Sequence, residues 1–197
     1  MNPLSEEAWN QVLKEARTHR AWQPIPVEDA LLRRLYELVR MGPTAMNCQP
    51  LRLVFVRSPE AKERLRPVLM PGNVEKTMAA PVTAIVAWDT AFHERIGDLN
   101  PTMPQARRML EEMAPEDRER MGRFSATLQA GYLILAARGL GLDCGPMAGF
   151  DAEALDREFF PDGRWKSLLL VNLGVGDPSR LHPRAPRPSF EEACLVL

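Results

Sequence analysis

The chain has 197 residues, 45% of them apolar and 26% charged, a balance that suits a soluble globular protein with enough apolar material for its own core. Its 25 basic and 26 acidic side chains leave a net charge of −1, so there is no broad basic face for a nucleic-acid backbone or an anionic membrane. The basic set is 21 Arg and only 4 Lys, a bias that genome composition explains and that also supplies many fork-shaped donors for phosphate.

The opening MNPLSEEAWNQVLKEARTHR is charged throughout and reads as a helix from Ser5 to about His19, not as a secretory leader. Trp9, Val12, Leu13 and Ala16 recur at helical spacing behind an N-capping Ser5 with Glu6 and Glu7 in the first turn. Trp22 to Pro26 breaks the pattern. A second helix is expected from about Val27 to Met41, closed by Gly42 and Pro43, and a loop follows to Pro50. Leu51 to Val56 reads as a strand, and Ser58-Pro59-Glu60 as the capped start of a third helix that Pro67 ends or bends. Pro71-Gly72-Asn73 reads as loop before a short helix over 74–79, and Pro81 to Trp88 as a buried strand.

Prolines at 101, 104 and 115 interrupt residues 92–115, which are expected to form a variable insert or lid. A long helix follows from Glu116 to Arg138, with Phe124, Leu128, Gly131, Leu135 and Arg138 roughly on one face and Gly139 and Gly141 at its end. Asp151 caps a helix ending near Phe160, Ser167 to Gly174 is a third strand, and the Pro-rich tail from Pro178 is expected to be extended. The apolar runs Met78–Trp88 and Thr127–Ala137 fall short of the roughly 18 residues a membrane span needs. Cys48, Cys144 and Cys194 show no C-x-x-C spacing, which points to reduced thiols and a cytoplasmic setting. Mixed helices and strands without βαβ alternation predict one α+β (α/β three-layer) domain over residues 1–197.

Several chemistries are excluded by spacing. Gly139, Gly141 and Gly145 follow a helix, not a strand, and do not make a dinucleotide fingerprint. No P-loop and no G-x-S-x-G occur, and His19, His93 and His182 are too scattered for a local zinc motif. Cys48 beside Asn47 and Gln49 reads as a small packed residue. Arg17, Thr18 and Arg20 end the first helix as a cluster able to grip a phosphate, and Arg184 with Arg187 forms a second basic pair in a stretch stiffened by prolines. Each pair alone also reads as solvated surface.

The loop Gly42-Pro43-Thr44-Ala45-Met46-Asn47-Cys48-Gln49-Pro50, with Arg17 to Trp22 ahead of it and Asn73-x-x-Lys76 behind, resembles the nitroreductase family. Gly141 to Phe150 (GLDCGPMAGF) and the late Arg184 and Arg187 complete five segments in that family's order, covering almost the whole chain. The resemblance is closer to its malonic semialdehyde reductase branch of pyrimidine (uracil) degradation, through Lys62 to Pro67, Ala80 to Asp89, Gly145-Pro146-Met147 and Ser189 to Cys194. It implies a mostly antiparallel sheet flanked by helices in a domain-swapped homodimer, with FMN at the subunit interface and NADH or NADPH as hydride donor.

The activity so implied is reduction of malonic semialdehyde to 3-hydroxypropanoate by ping-pong hydride transfer through flavin N5, with no catalytic side chain. The same resemblance implies that Arg17, Thr18, Arg184 and Arg187 meet the FMN phosphate and that Arg20, Asn73 and Lys76 meet the pyrimidine edge. Pro146, Met147 and Gly149 lie along the ring, and Pro43, Thr44, Ala45 and Asn47 reach it from the partner subunit. Two departures are visible: Ala148 stands where many members have Glu, and Ala16 where many have a basic residue. A broad nitroaromatic or quinone reductase and a flavin-binding protein without turnover remain open. Arg95, Arg107 and Arg108 read either as attraction for an acidic substrate or as solvated surface.

Overall fold

The computed structural model describes residues 2–197. Its architecture follows from one run, Val82 to Asp89, which forms strand β2 with all eight residues buried. A strand with no polar side must sit mid-sheet with both faces covered. It does: β1 (Leu51–Val56), β2, β3 (Asp143–Met147) and β4 (Trp165–Gly174) form one antiparallel sheet in the order β1-β2-β4-β3. The β2–β4 register slips between Val86 and Ala87.

Alternate residues of the central strands feed separate cores. Ala84, Val86, Val171 and Leu173 point to helices α2 (Asp29–Val39) and α7 (Pro115–Gly139), meeting Leu35, Val39, Leu133 and Ala137. Ile85, Ala87 and Leu170 point the other way, to Leu65 of α3 (Pro59–Leu65) and Leu155 of α8 (Ala152–Phe159). Leu133 and Leu155 have no exposed surface, and truncating either to Ala is expected to cost about 2–5 kcal/mol. Local signals place the covering helices: Ser58 and Asp151 accept from Ala61 N and Ala154 N as N-caps, with Pro59 in the first turn of α3.

Several expectations are corrected. The first helix ends early: α1 (Glu6–Trp9) runs into a π-helical stretch, Asn10–Lys14, so Arg17 to Trp22 lies outside it. Pro71 and Gly72 are not loop but the first turn of α4 (Pro71–Met78), where proline's missing N–H costs nothing. A fourth strand, β3, joins the three expected, although Gly145 and Pro146 oppose strand formation; β3 is an edge strand, the place where proline is tolerated. Along α7, Phe124, Leu128 and Leu135 are exposed, and the side facing the core is Ala126, Ala130, Leu133 and Ala137.

Residues 92–115 contain short helices α5 (Ile96–Leu99) and α6 (Ala106–Glu112), pinned by Phe92, Ile96, Ala106 and Leu110 against Trp88 and Ala126. The tail is extended as expected, apart from a 3-10 turn over Pro178–Arg180 and one helical turn, α9 (Phe190–Ala193), capped by Ser189. Cys48 and Cys144 are buried and Cys194 is exposed. Burial raises the Cys48 thiol and pushes that of Cys144 up to about 12. Among the described residues no helix is long and apolar enough to cross a membrane.

Candidate functional site

Residues 18–23 leave the first helix and lie along the open ends of β3 and β4. His19 N donates to the Cys144 carbonyl at 3.0 Å, Gln23 N to Val175 O at 2.8 Å, and Asp177 N to Ala21 O at 2.9 Å. Gly145 makes this approach possible, since a Cβ there would fall 2.7 Å from the His19 carbonyl oxygen. Beneath the segment His19 is buried, with Nε2 3.3 Å from Asp143 Oδ1, while Asp143 Oδ2 accepts from Gly176 N at 2.8 Å.

This anchoring turns Arg17, Thr18 and Arg20 outward, and the extended tail comes to meet them. Arg17 donates to the His182 carbonyl, Arg20 Nη1 lies 2.5 Å from His182 Nε2, and Arg184 Nη2 donates to Ala16 O at 3.2 Å. A cavity of about 500 Å³ results, lined by Arg17, Thr18, Arg20, His182, Arg184 and Arg187, with Arg138 and Lys14 at its margin. The two basic clusters, separated by more than 160 positions in sequence, thus share one space.

The electrostatics of the cavity are unusual for this chain. Most of its other arginines are ion-paired, as in Arg52–Asp89 at 2.6 Å and Arg64–Glu158 at 2.6 Å. Among the described residues no carboxylate lies within 4 Å of Arg17, Arg20, Arg138, Arg184 or Arg187, whereas Lys14 is paired with Glu6. Guanidinium forks gathered without a counter-charge favour a dianion such as a phosphate ester.

A second group continues the site. Trp22 Nε1 donates to the Lys76 carbonyl at 3.0 Å, tying the segment to α4, and Asn73 Nδ2 donates to the Gly149 carbonyl at 2.6 Å. A Cβ on Gly149 would collide with Asn73 Nδ2, so only glycine admits this contact. Burial lowers the Lys76 pKa and the charge on Arg20 lowers it further, which puts the two cations in each other's field. Met147 is buried and Pro146 half-buried on β3 between these groups.

Pro43, Thr44, Ala45 and Asn47 are elsewhere, and none of them lines the arginine cavity. Their loop is held on α7 and the insert: Tyr132 donates to the Pro43 carbonyl at 3.2 Å, Gln129 Nε2 to Gln49 Oε1 at 2.6 Å, and Asn47 Nδ2 to Leu99 O at 2.6 Å. Met46, Asn47 and Gln49 have positive φ, and Pro43, Ala45 and Asn47 are exposed. Arg107 and Arg108 are engaged with Glu111 and Glu112 along α6.

Sequence reasoning missed Arg138, His182 and a buried chain of polar groups starting at Lys62. Arg138 sits inside a helical pattern and His182 is an isolated histidine, so neither carried a local signal.

Comparison with known proteins finds relatives along the length of the chain. The sequence model described as the nitroreductase family matches residues 13–175. A protein of Ralstonia nicotianae carrying the provisional name NADH dehydrogenase/NAD(P)H nitroreductase is 50% identical over 197 residues, all of both chains. A provisionally named nitroreductase of Bacillus subtilis superposes with a TM-score of 0.89 at 22% identity, covering 98% of this chain and 100% of its own. Another from Exiguobacterium sibiricum, solved in complex with FMN, gives 0.86 at 18% identity and covers 100% of both chains.

Proposed function

This chain belongs to the nitroreductase family, and from that premise we propose a particular acceptor, malonic semialdehyde, for an FMN-dependent NAD(P)H oxidoreductase. The residues fit the cofactor on the chain's own terms. Arg17, Arg184 and Arg187, without carboxylate partners, supply the positive charge that balances a phosphate ester, and Gly149 keeps a stretch of backbone beside Asn73 free of side chain. When bound, FMN supplies a two-electron carrier between the nicotinamide nucleotide and the acceptor.

The side chains then divide the holding work. Arg17, Thr18, Arg184 and Arg187 grip the phosphate. Arg20 and Lys76 bring positive charge to the pyrimidine edge, which favours the reduced, anionic ring. Asn73 spends its amide N–H on Gly149, leaving Oδ1 to accept from a ring N–H. Pro146, Met147 and Gly149 lie along the ring.

A domain-swapped homodimer belongs to this reading. Pro43, Ala45 and Asn47 stand exposed, with Thr44 half-buried among them, away from the arginine cavity, where a second copy can use them. Among the described residues the outer edge of β1 has no partner strand, and grooves of about 600 and 390 Å³ that share Tyr36 and Phe55 run beside it. Leu195 and Val196 are each 80% exposed at the end of a tail with no core of its own. Phe124, Leu128 and Leu135 add an apolar stripe that calls for cover.

The observation that carries the reading is the convergence of the two basic clusters on one uncompensated cavity. The acceptor rests on the shared strings Lys62 to Pro67, Ala80 to Asp89 and Ser189 to Cys194. The purified protein, supplied with FMN and desalted, is expected to stay yellow, to bleach anaerobically with NADH or NADPH, and to recolour with malonic semialdehyde. A colourless protein overturns the cofactor site. Recolouring with a nitroaromatic or quinone but not with the semialdehyde selects the second reading, a broad-specificity reductase, which the name of the half-identical Ralstonia protein favours.

A further inference from the structure

Lys62 lies in α3 with only 4% of its surface exposed, and among the described residues no carboxylate is within 4 Å of it. Its Nζ donates to the Thr77 carbonyl in the last turn of α4 at 2.7 Å and to Thr83 Oγ1 on β2 at 2.6 Å. Thr83 in turn donates to Asn172 Oδ1 on β4 at 2.7 Å. Asn172 Nδ2 reaches the Lys76 carbonyl at 3.3 Å and Thr77 Oγ1 at 3.4 Å, and Thr77 Oγ1 points to Met147 Sδ at 3.4 Å.

Two properties of this chain of contacts call for an explanation beyond packing. A buried ammonium without a counter-ion is expensive, and an apolar side chain of similar length would fill the same space at lower cost. The donors also run one way, each hydrogen bond polarising the next, from the ammonium towards the backbone of Lys76.

The far end of the relay is where restraint is needed. The Lys76 carbonyl also accepts from Trp22, so it joins α4 to the segment carrying Arg17 and Arg20. The charges of Arg20 and Lys76 repel each other across that joint. Without a tether, α4 would relax away from the segment and carry Asn73 and Lys76 with it.

We propose that Lys62 is a positioning residue which, through Thr83 and Asn172, holds the Asn73–Lys76 turn of α4 against residues 17–22 and thereby sets the affinity and potential of the bound flavin. The inference rests on the reading of Asn73, Lys76 and Met147 as flavin contacts. It makes Lys62 part of the cofactor site although it touches no ligand.

Lys62→Met removes the ammonium and keeps the length, and Thr83→Val breaks the relay at its second link. Each is compared with wild type by thermal melting, by FMN dissociation constant from flavin fluorescence, and by the midpoint potential of the bound flavin. Lys62→Met is expected to melt no lower than wild type, to bind FMN about tenfold more weakly and to shift the potential negative; Thr83→Val follows in the same direction by a smaller factor. FMN affinity within about twofold of wild type, with an unchanged potential in both variants, overturns the proposal. Should Lys62→Met fail to fold, Thr83→Val decides by the same two readouts. A wild-type chain that binds no FMN instead overturns the functional reading, and this inference with it.

Discussion

The two edges of the sheet have opposite fates. At the β3 edge, residues 18–23 of the same chain pair with the end of the sheet and bring Arg17 and Arg20 to a finished cationic cavity. At the β1 edge no described residue pairs, the flanking grooves stay open, and the exposed loop with Asn47 does not line the arginine cavity. One edge is completed within the chain and the other is left open. On the proposed reading, phosphate grip and ring enclosure are separate tasks, the first built within one chain and the second left to a second copy.

The comparison breaks most visibly at the tail. Removing Cys194 to Leu197 leaves the β3 edge intact, yet sedimentation is expected to show loss of the dimer and FMN retention to fall about a hundredfold or more, because ring enclosure goes with the partner. A truncated chain that stays dimeric would show that the open edge is not where the copies join. At the other edge, Arg17→Ala is expected to weaken FMN about 10- to 100-fold by equilibrium titration, the cost of a charge-assisted contact, with the dimer unchanged. Between these lies Gly145→Ala, which pushes a methyl group towards the His19 carbonyl and is expected to cost about 1–3 kcal/mol in denaturant unfolding.

The smallest effect comes from the interior between the edges. Burial lowers the Lys62 pKa to about 8 from 10.5 in an unperturbed lysine. Between those values the unfolded chain holds the proton and the native chain does not, so stability rises with pH across that window and is lost again on acidification to pH 8. From pH 7 to pH 9 the gain is about 1 kcal/mol, measured as the difference between wild type and Lys62→Met so that other titrations cancel.

Much of the fold was legible because its signals are local. Leu51 to Val56 announced β1, and Ser58-Pro59 and Asp151 fixed the starts of α3 and α8 within the residues that cap them. Reading failed where tertiary packing overrides propensity. Gly145 and Pro146 carry no strand signal and are a strand, because a neighbouring segment needs the missing Cβ and an outer edge tolerates the missing N–H. The stripe Phe124, Leu128, Leu135 looked like a core face and is solvent-exposed in the single chain. In the site, the arginine clusters stand out locally as phosphate grips, but each alone reads equally as solvated surface, and only segment order separates the two. Lys62, Thr83 and Asn172 were invisible, since a lysine in a helix, a threonine in a strand and an asparagine in another strand carry no sign of their meeting.

The distribution of thiols gives the molecule a built-in reporter. Cys48 and Cys144 are sealed inside with their ionisation suppressed, whereas Cys194 stands exposed on the tail. A maleimide dye therefore marks a single position without any engineering. Energy transfer between differently labelled chains would then show whether two copies associate, and its rate would show how readily they part.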